Sequence, residues 1–169
     1  MSTRNATPEI KLLLALLDEA YDHPAWHGPN LRGALRGLSG EQAVWRPAPG
    51  RNSIWQIALH CAYWKYAVYR RLSGEGTRGS FPRKPSNWPA LPARCGAASW
   101  KGDLALLDEQ HRRLREGVAA FPAERLGRPL GKSTAVRLIY GIAAHDLYHA
   151  GQVRLLIKLS GGKRKGKRS

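Results

Sequence analysis

The chain has 169 residues, which is typical of one domain with its own hydrophobic core, and its two cysteines are too few for a disulfide scaffold. It contains no apolar leader and no apolar run near the roughly 18 to 20 residues that cross a bilayer, so we expect a cytoplasmic protein with no membrane partner. Its 28 Lys and Arg outnumber its 12 Asp and Glu, and the formal net charge of +16 leaves nucleic acid open as a partner.

The first predicted element is an amphipathic helix over residues 8–22, indicated by a proline at the first helical position and by leucines that recur on one face. Prolines and a glycine then interrupt the helix around His23 and His27. We therefore interpret both histidines as surface or loop residues, although they are four apart. A short helical continuation over 31–38 and a turn-rich stretch over 39–52 follow.

A second amphipathic helix is predicted over residues 53–72, with Asn52 or Ser53 as its N-cap. It carries His60 among mostly apolar neighbours. Helical spacing places Gln56 and Trp64 on the same face as His60. Gln56 is therefore predicted to orient the imidazole or to face a substrate, and Trp64 to line a pocket.

The stretch over residues 75–98 is rich in proline and glycine and is predicted to be a long crossover, lid or binding loop. Ser99 then caps a third predicted helix, which ends near residue 121. His111 lies in this helix among charged neighbours in sequence, and we predict that it is exposed to solvent.

The last helix is predicted over residues 135–159, with Ser133 as its N-cap. His145 and His149 are four residues apart in this helix, so both imidazoles point from one face. Four main helices with one long connection predict an all-α four-helix bundle, in which the long crossover loop lets the second and third helices run parallel.

We predict one bundle domain over residues 1–160 and a basic tail over residues 161–169, whose sequence is GGKRKGKRS. Basic tails interrupted by glycine are usually disordered, and some of them bind a partner.

Three histidines stand in apolar helical contexts and are candidates for one metal site between facing helices: His60, His145 and His149. Three imidazoles leave coordination positions open for water or substrate, as in catalytic metal sites. The alternative is that they are hydrogen-bonded core residues. Cys61 is interpreted as a packed core thiol. Asp146 projects about 100 degrees away from His145, so we predict a salt bridge rather than metal ligation.

The segment HDLYHAGQ in the last helix, the histidine after SIWQIAL and the opening AWHGPNL with the later WRP together resemble the DinB superfamily, including its thiol-transferase branch. The resemblance extends from about residue 8 to residue 159. It implies a bundle in up-down-down-up order, a homodimer, and one divalent metal ion held by His60, His145 and His149. Characterised members of the family include transferases that deliver a low-molecular-weight thiol to an electrophile.

We therefore expect a metal-dependent enzyme that acts on a small molecule, either a transferase that moves a thiol to a small electrophile or a hydrolase. Helical spacing places Gln152 to orient a ligand histidine or to face the substrate. Tyr148 is placed to donate to a developing oxyanion. Zinc and nickel are the metals expected first, with iron as an alternative. A non-catalytic metal-binding bundle and a stress-related nucleic-acid-binding protein are the competing functions. The second is not favoured, because the sequence lacks zinc-finger spacing and an RNP-like aromatic motif.

Overall fold

The structure is a computed structural model that describes residues 6–76 and 79–161. These residues form six α-helices, a 3-10 turn and a two-stranded ribbon, so the predicted all-α class is confirmed. Apart from its first residue, the predicted basic tail lies outside the described residues. The helices are α1 (Pro8–Tyr21), α2 (Leu31–Leu35), α3 (Gly40–Val44), α4 (Ile54–Leu72), α5 (Ala97–Ala119) and α6 (Ala135–Leu159), and the ribbon pairs β1 (Pro129–Leu130) with β2 (Ser133–Thr134).

The predicted N-caps of the last two long helices are wrong. Helix α5 begins two residues before Ser99, because Ala97 and Ala98 are already helical. Its N-cap is Gly96, which has no side chain to accept a capping hydrogen bond. Helix α6 is capped by Thr134, whose hydroxyl accepts a hydrogen bond from the backbone N–H of Arg137. Ser133, the predicted cap, instead pairs with the first ribbon strand.

Helix α3 was missed, because the prolines that follow it indicated only turns. The signal for it is a capping box: the Ser39 hydroxyl accepts from the backbone N–H of Gln42, and the Gln42 side chain accepts from the backbone N–H of Ser39. The same box begins α4, where Ser53 and Gln56 exchange the corresponding hydrogen bonds. Of the two predicted N-caps of α4, Ser53 is therefore confirmed.

The four long helices contact one another in a closed pattern: α1 and α4 each pack against both α5 and α6. Their apolar stripes form two core clusters, one around Leu17, Leu114 and Ile139 and one around Trp55 and Leu107. All five of these side chains are fully buried. Burial of such residues is the main stabilising term, at about 1.5–3 kcal/mol for each large aliphatic side chain.

The long loop between α4 and α5 is anchored to this core at two points. Phe81 is buried against the aromatic residues of α4. The Arg83 guanidinium pairs at 2.7 Å with Asp103, whose carboxylate is fully buried and also accepts from the Trp55 indole at 2.8 Å. These contacts hold the loop over the middle of α4, where His60 lies.

A fully buried ion pair joins α4 to α6. The ammonium of Lys65 donates to the carboxylate of Asp146, and both side chains are 0% exposed. The Lys65 Nζ atom also lies 4.7 Å from the centre of the Tyr21 ring, which brings α1 into the same cluster. The predicted salt bridge of Asp146 is therefore confirmed, and its partner is a lysine that sequence reasoning did not select.

The prediction that His111 is exposed is wrong. Its side chain is 5% exposed, and its ring stacks on that of Tyr21 with the centres 3.8 Å apart. The reason is helical spacing: His111 follows Leu107 by four residues and precedes Leu114 by three, so it lies on the buried stripe. Burial and, to a smaller extent, nearby cations lower the pKa of His111 to about 2.

Because His111 is buried in its neutral form, we expect the free energy of unfolding to fall in mild acid. The unfolded histidine takes up a proton below its ordinary pKa of 6.5, whereas the folded one does so only near pH 2. Its contribution is therefore fully present above about pH 6.5 and is lost as the pH falls below that value. Between pH 7 and pH 5 this amounts to about 2 kcal/mol.

The variant His111→Phe keeps a ring against Tyr21 but cannot take up a proton. Between pH 7 and pH 5 we expect its free energy of unfolding to fall by about 2 kcal/mol less than that of wild type. Urea unfolding of both proteins at the two pH values measures the difference. Equal pH dependence of the two proteins would show that His111 is protonated in the folded state.

Candidate metal centre

Three histidine side chains from two helices converge on one point. His60 projects from α4, and His145 and His149 project from successive turns of α6. The Nε2 atom of His145 lies 3.0 Å from Nε2 of His60 and 3.1 Å from Nε2 of His149. His60 and His149 are almost completely buried, and His145 is half-buried. The structure thus brings together the three residues that the sequence selected.

The Nδ1 atoms of two of these rings already have oxygen acceptors. Nδ1 of His60 donates to the backbone carbonyl of Asn87 at 2.6 Å, and Nδ1 of His149 donates to Oε1 of Gln152 at 2.7 Å. A neutral imidazole carries one N–H, so these two bonds leave both Nε2 atoms as lone pairs. In metal sites, ligating histidines are usually oriented by such a bond from the second nitrogen.

The convergence of lone pairs gives the cluster the character of a cation site. His145 can place one proton on Nε2 and donate it to only one of its two neighbours. At least one close contact between Nε2 atoms then brings two lone pairs together, which a shared cation relieves. Two nitrogen ligands on a tetrahedral ion at about 2.0 to 2.1 Å lie about 3.3 to 3.4 Å apart, close to the spacing observed here.

The electrostatics keep the three imidazoles neutral and therefore able to ligate. Burial lowers the pKa of His145 to about 3 and that of His149 to about 4, and it also lowers the pKa of His60. The neighbouring histidines contribute to the lowered pKa values of His145 and His149. At neutral pH the cluster is ready to bind a metal without first releasing protons.

Aromatic rings enclose the cluster on the side of α4. Trp88 stacks on His60 with ring centres 3.8 Å apart and planes within 10°. Trp64 meets both His60 and His145 edge-on at 6.4 Å, and its indole N–H donates to Oδ1 of Asn87 at 2.9 Å. Trp64 therefore contacts the histidine cluster, at the position its spacing from His60 indicated.

Asn87 and Trp88 are the site residues that sequence reasoning missed. Both come from the long loop, whose length indicated a lid or binding loop but not which residues reach the site. Asn87 has a φ of +72°, a left-handed conformation that asparagine tolerates better than most residues. That conformation belongs to the turn in which Asn87 offers both its carbonyl and its side chain to α4.

The structure also locates the other histidine, glutamine and tyrosine residues that the sequence analysis considered. Gln152 lies beside the cluster and contacts His149, whereas Tyr148 is 63% exposed with its ring 5.0 Å from the His149 ring. The prediction that Gln56 orients His60 is wrong, because the Gln56 side chain belongs to the capping box of α4 and His60 bonds to the loop. His23 and His27 are exposed and outside the cluster, as predicted.

A second group of potential ligands overlaps the first. Donor atoms of Cys61, His145 and Asp146 lie within 4.8 Å of one another. However, Asp146 is paired with Lys65, and burial raises the pKa of the Cys61 thiol well above its usual value. A neutral thiol and a neutralised carboxylate are poor ligands, so the three imidazoles form the better site. Cys61 is fully buried, as predicted for a core thiol.

An all-helical protein with three convergent buried imidazoles has the architecture of a helical metalloprotein. A family model described as the DinB superfamily matches residues 25–153, well over half of the chain. The chain therefore belongs to the DinB superfamily. No curated protein and no solved structure matches it. Among the described residues, no helix is long and apolar enough to cross a membrane.

Proposed function

We propose that this protein binds one divalent metal ion through His60, His145 and His149, and that it uses the ion to transfer a small thiol to an electrophile or to hydrolyse a small substrate. The observation that carries the proposal is the convergence of three Nε2 atoms, two of which belong to rings, His60 and His149, that a hydrogen bond from Nδ1 already orients. Membership of the DinB superfamily supports it. Zinc and nickel suit three imidazoles, and iron is an alternative.

Each residue around the cluster has a part in this proposal. A divalent ion, when bound, lowers the pKa of a coordinated water or holds a thiol as its thiolate. Gln152 and the Asn87 carbonyl accept the Nδ1 protons of His149 and His60, which fixes the tautomers that present Nε2. Trp88 keeps water from one face of His60, and the exposed Tyr148 hydroxyl donates to charge that develops on the substrate.

A turnover screen tests the catalytic part. Zinc-loaded and nickel-loaded protein would be mixed with a low-molecular-weight thiol and a chromogenic electrophile, and separately with chromogenic esters. We expect turnover that His149→Ala abolishes and that Tyr148→Phe lowers by about 10- to 100-fold with the metal content unchanged, since a positioned proton donor contributes at least that much.

The matched control for Tyr148→Phe is Tyr140→Phe, which changes another exposed tyrosine on the same helix. Rates that are equal for wild type and His149→Ala would contradict the catalytic proposal. If metal binds but none of these substrates reacts, the non-catalytic metal-binding bundle is the better description.

We also propose that α1, α4, α5 and α6 form an up-down-down-up bundle and that the protein is a homodimer. The contacts of α1 and α4 with both α5 and α6 support the bundle. Leu155 and Leu159 are exposed on one face of α6 and would be covered in a dimer. Sedimentation equilibrium of the untagged protein tests the dimer, and a monomer at micromolar concentration would contradict it.

A further inference from the structure

A cavity of about 220 Å³ lies between α4 and α6, and one histidine of the cluster, His145, lines it. His145 forms one end of it, together with Trp64, whose ring edge faces His145. Arg71 from α4 and Arg137 from α6 also line the cavity. Another cavity, of about 730 Å³, lies between α4 and the long loop, and none of the three histidines lines it.

Helix geometry gives the direction and length of the smaller cavity. On α4, Arg71 follows Trp64 by seven residues, which is two helical turns and about 10 Å along the axis. On α6, Arg137 precedes His145 by eight residues, or about 12 Å. The backbone positions of both arginines therefore lie about 10 to 12 Å along the helices from the end lined by Trp64 and His145. The cavity runs between two charged residues and one histidine of the candidate metal site.

The charges at the far end of the cavity are not neutralised within the described part of the chain. Neither Arg71 nor Arg137 has an ion pair there, whereas five other arginines pair with carboxylates: Arg32, Arg70, Arg83, Arg112 and Arg115. No acidic residue lines the cavity. The end of the cavity is therefore suited to an anion, and a guanidinium pair matches the planar geometry of a carboxylate.

We propose that this cavity binds the carboxylate end of the substrate between Arg71 and Arg137, while the reactive end lies about 10 Å away at His145 and the metal. This rests on the proposed function, because the metal supplies the second point of attachment. The substrate class is then a small, elongated molecule with a metal-reaching group at one end and a carboxylate at the other. Val68 and Ile142, which line the cavity between its two ends, contact the apolar middle part of the substrate.

The proposed carboxylate binding is tested with thiols of different length and charge. Their affinities are measured with the cobalt-loaded protein, in which thiolate binding produces a charge-transfer band. The probes are 8-mercaptooctanoate, its uncharged analogue 8-mercaptooctan-1-ol, and the short 3-mercaptopropanoate. We expect 8-mercaptooctanoate to bind at least about tenfold more tightly than the alcohol, the size expected for hydrogen bonds to charged groups. In the Arg71→Gln/Arg137→Gln variant the two long thiols should bind equally, with cobalt content unchanged.

A second pair of variants tests whether the ligand lies along the cavity, independently of the charges of the two arginines. A Cβ at Gly141, which lines the cavity, would meet no atom within 4 Å, so Gly141→Leu extends into that space. We expect Gly141→Leu to weaken 8-mercaptooctanoate at least about tenfold and to leave 3-mercaptopropanoate unchanged. The matched control is Gly102→Leu, at an exposed glycine of α5 that also has open space around it.

The outcomes separate this inference from the proposed function. Cobalt binding with no preference for the long carboxylate, or with a preference that survives loss of both arginines, overturns the inference alone. Failure to bind cobalt overturns the proposed function. In that case, calorimetry of octanoate with the metal-free protein tests the cavity: heat that disappears in the double arginine variant supports it, and no heat in wild type overturns it.

Discussion

Replacing His149 with alanine is expected to remove the bound metal. His149 supplies one of three convergent Nε2 atoms, and its removal leaves two imidazoles from different helices. Loss of an outer hydrogen-bond partner typically lowers metal affinity by about 10- to 100-fold, and loss of a ligand should exceed that. Elemental analysis of untagged protein gives the stoichiometry, and competition with a chromogenic chelator gives the affinity.

Two matched variants make this result specific. His23→Ala removes an exposed histidine outside the cluster and should leave the metal content unchanged. Gln152→Leu removes the acceptor for His149 Nδ1 and should weaken binding by about 10- to 100-fold without abolishing it. Metal that is present in wild type and equally present in His149→Ala would place the ion elsewhere.

The sequence identified the cluster because its signal is local. His145 and His149 are four apart in a helix that has strong apolar periodicity and no proline, and Thr134 and Ser160 bound it in the structure. The third residue, His60, came from its apolar helical context and from the family resemblance. Spacing determines that His145 and His149 share one helix face, whereas it could not show that His60 on another helix faces them.

The parts that could not be predicted depend on contacts between distant segments. Asn87 reaches His60 across 27 positions of sequence, through a loop whose path no periodicity describes. Lys65 is a charged residue on an otherwise apolar face, and its partner Asp146 lies on another helix. Gln56 is an error of the opposite kind, a residue that was predicted for the site and lies outside it. Helical spacing placed it near His60, but its side chain accepts a hydrogen bond from the backbone N–H of Ser53 in the capping box of α4.

The buried pair of Lys65 and Asp146 leads to the largest stability effect that we expect. Lys65→Met should destabilise the metal-free protein by about 3–5 kcal/mol, because it leaves the Asp146 carboxylate buried without its cation. Oδ1 of Asp146 has no hydrogen-bond partner among the described residues, so no other group there takes over the role of Lys65. Urea unfolding at pH 7 measures the loss.

The double variant Lys65→Met/Asp146→Ala distinguishes the cost of an unpaired charge from the cost of lost packing. Removing both charges relieves the desolvation penalty, so we expect the double variant to regain most of the stability and to lie within about 2 kcal/mol of wild type. Arg112→Met is the surface control: it breaks the exposed pairs with Glu109 and Glu116 and should cost no more than about 1 kcal/mol. If the double variant were as unstable as Lys65→Met alone, the lysine would act through its packing on Tyr21 rather than through its charge. Regained stability would instead show that the pair adds little net stability to the α4–α6 contact, although neither charge can be removed alone.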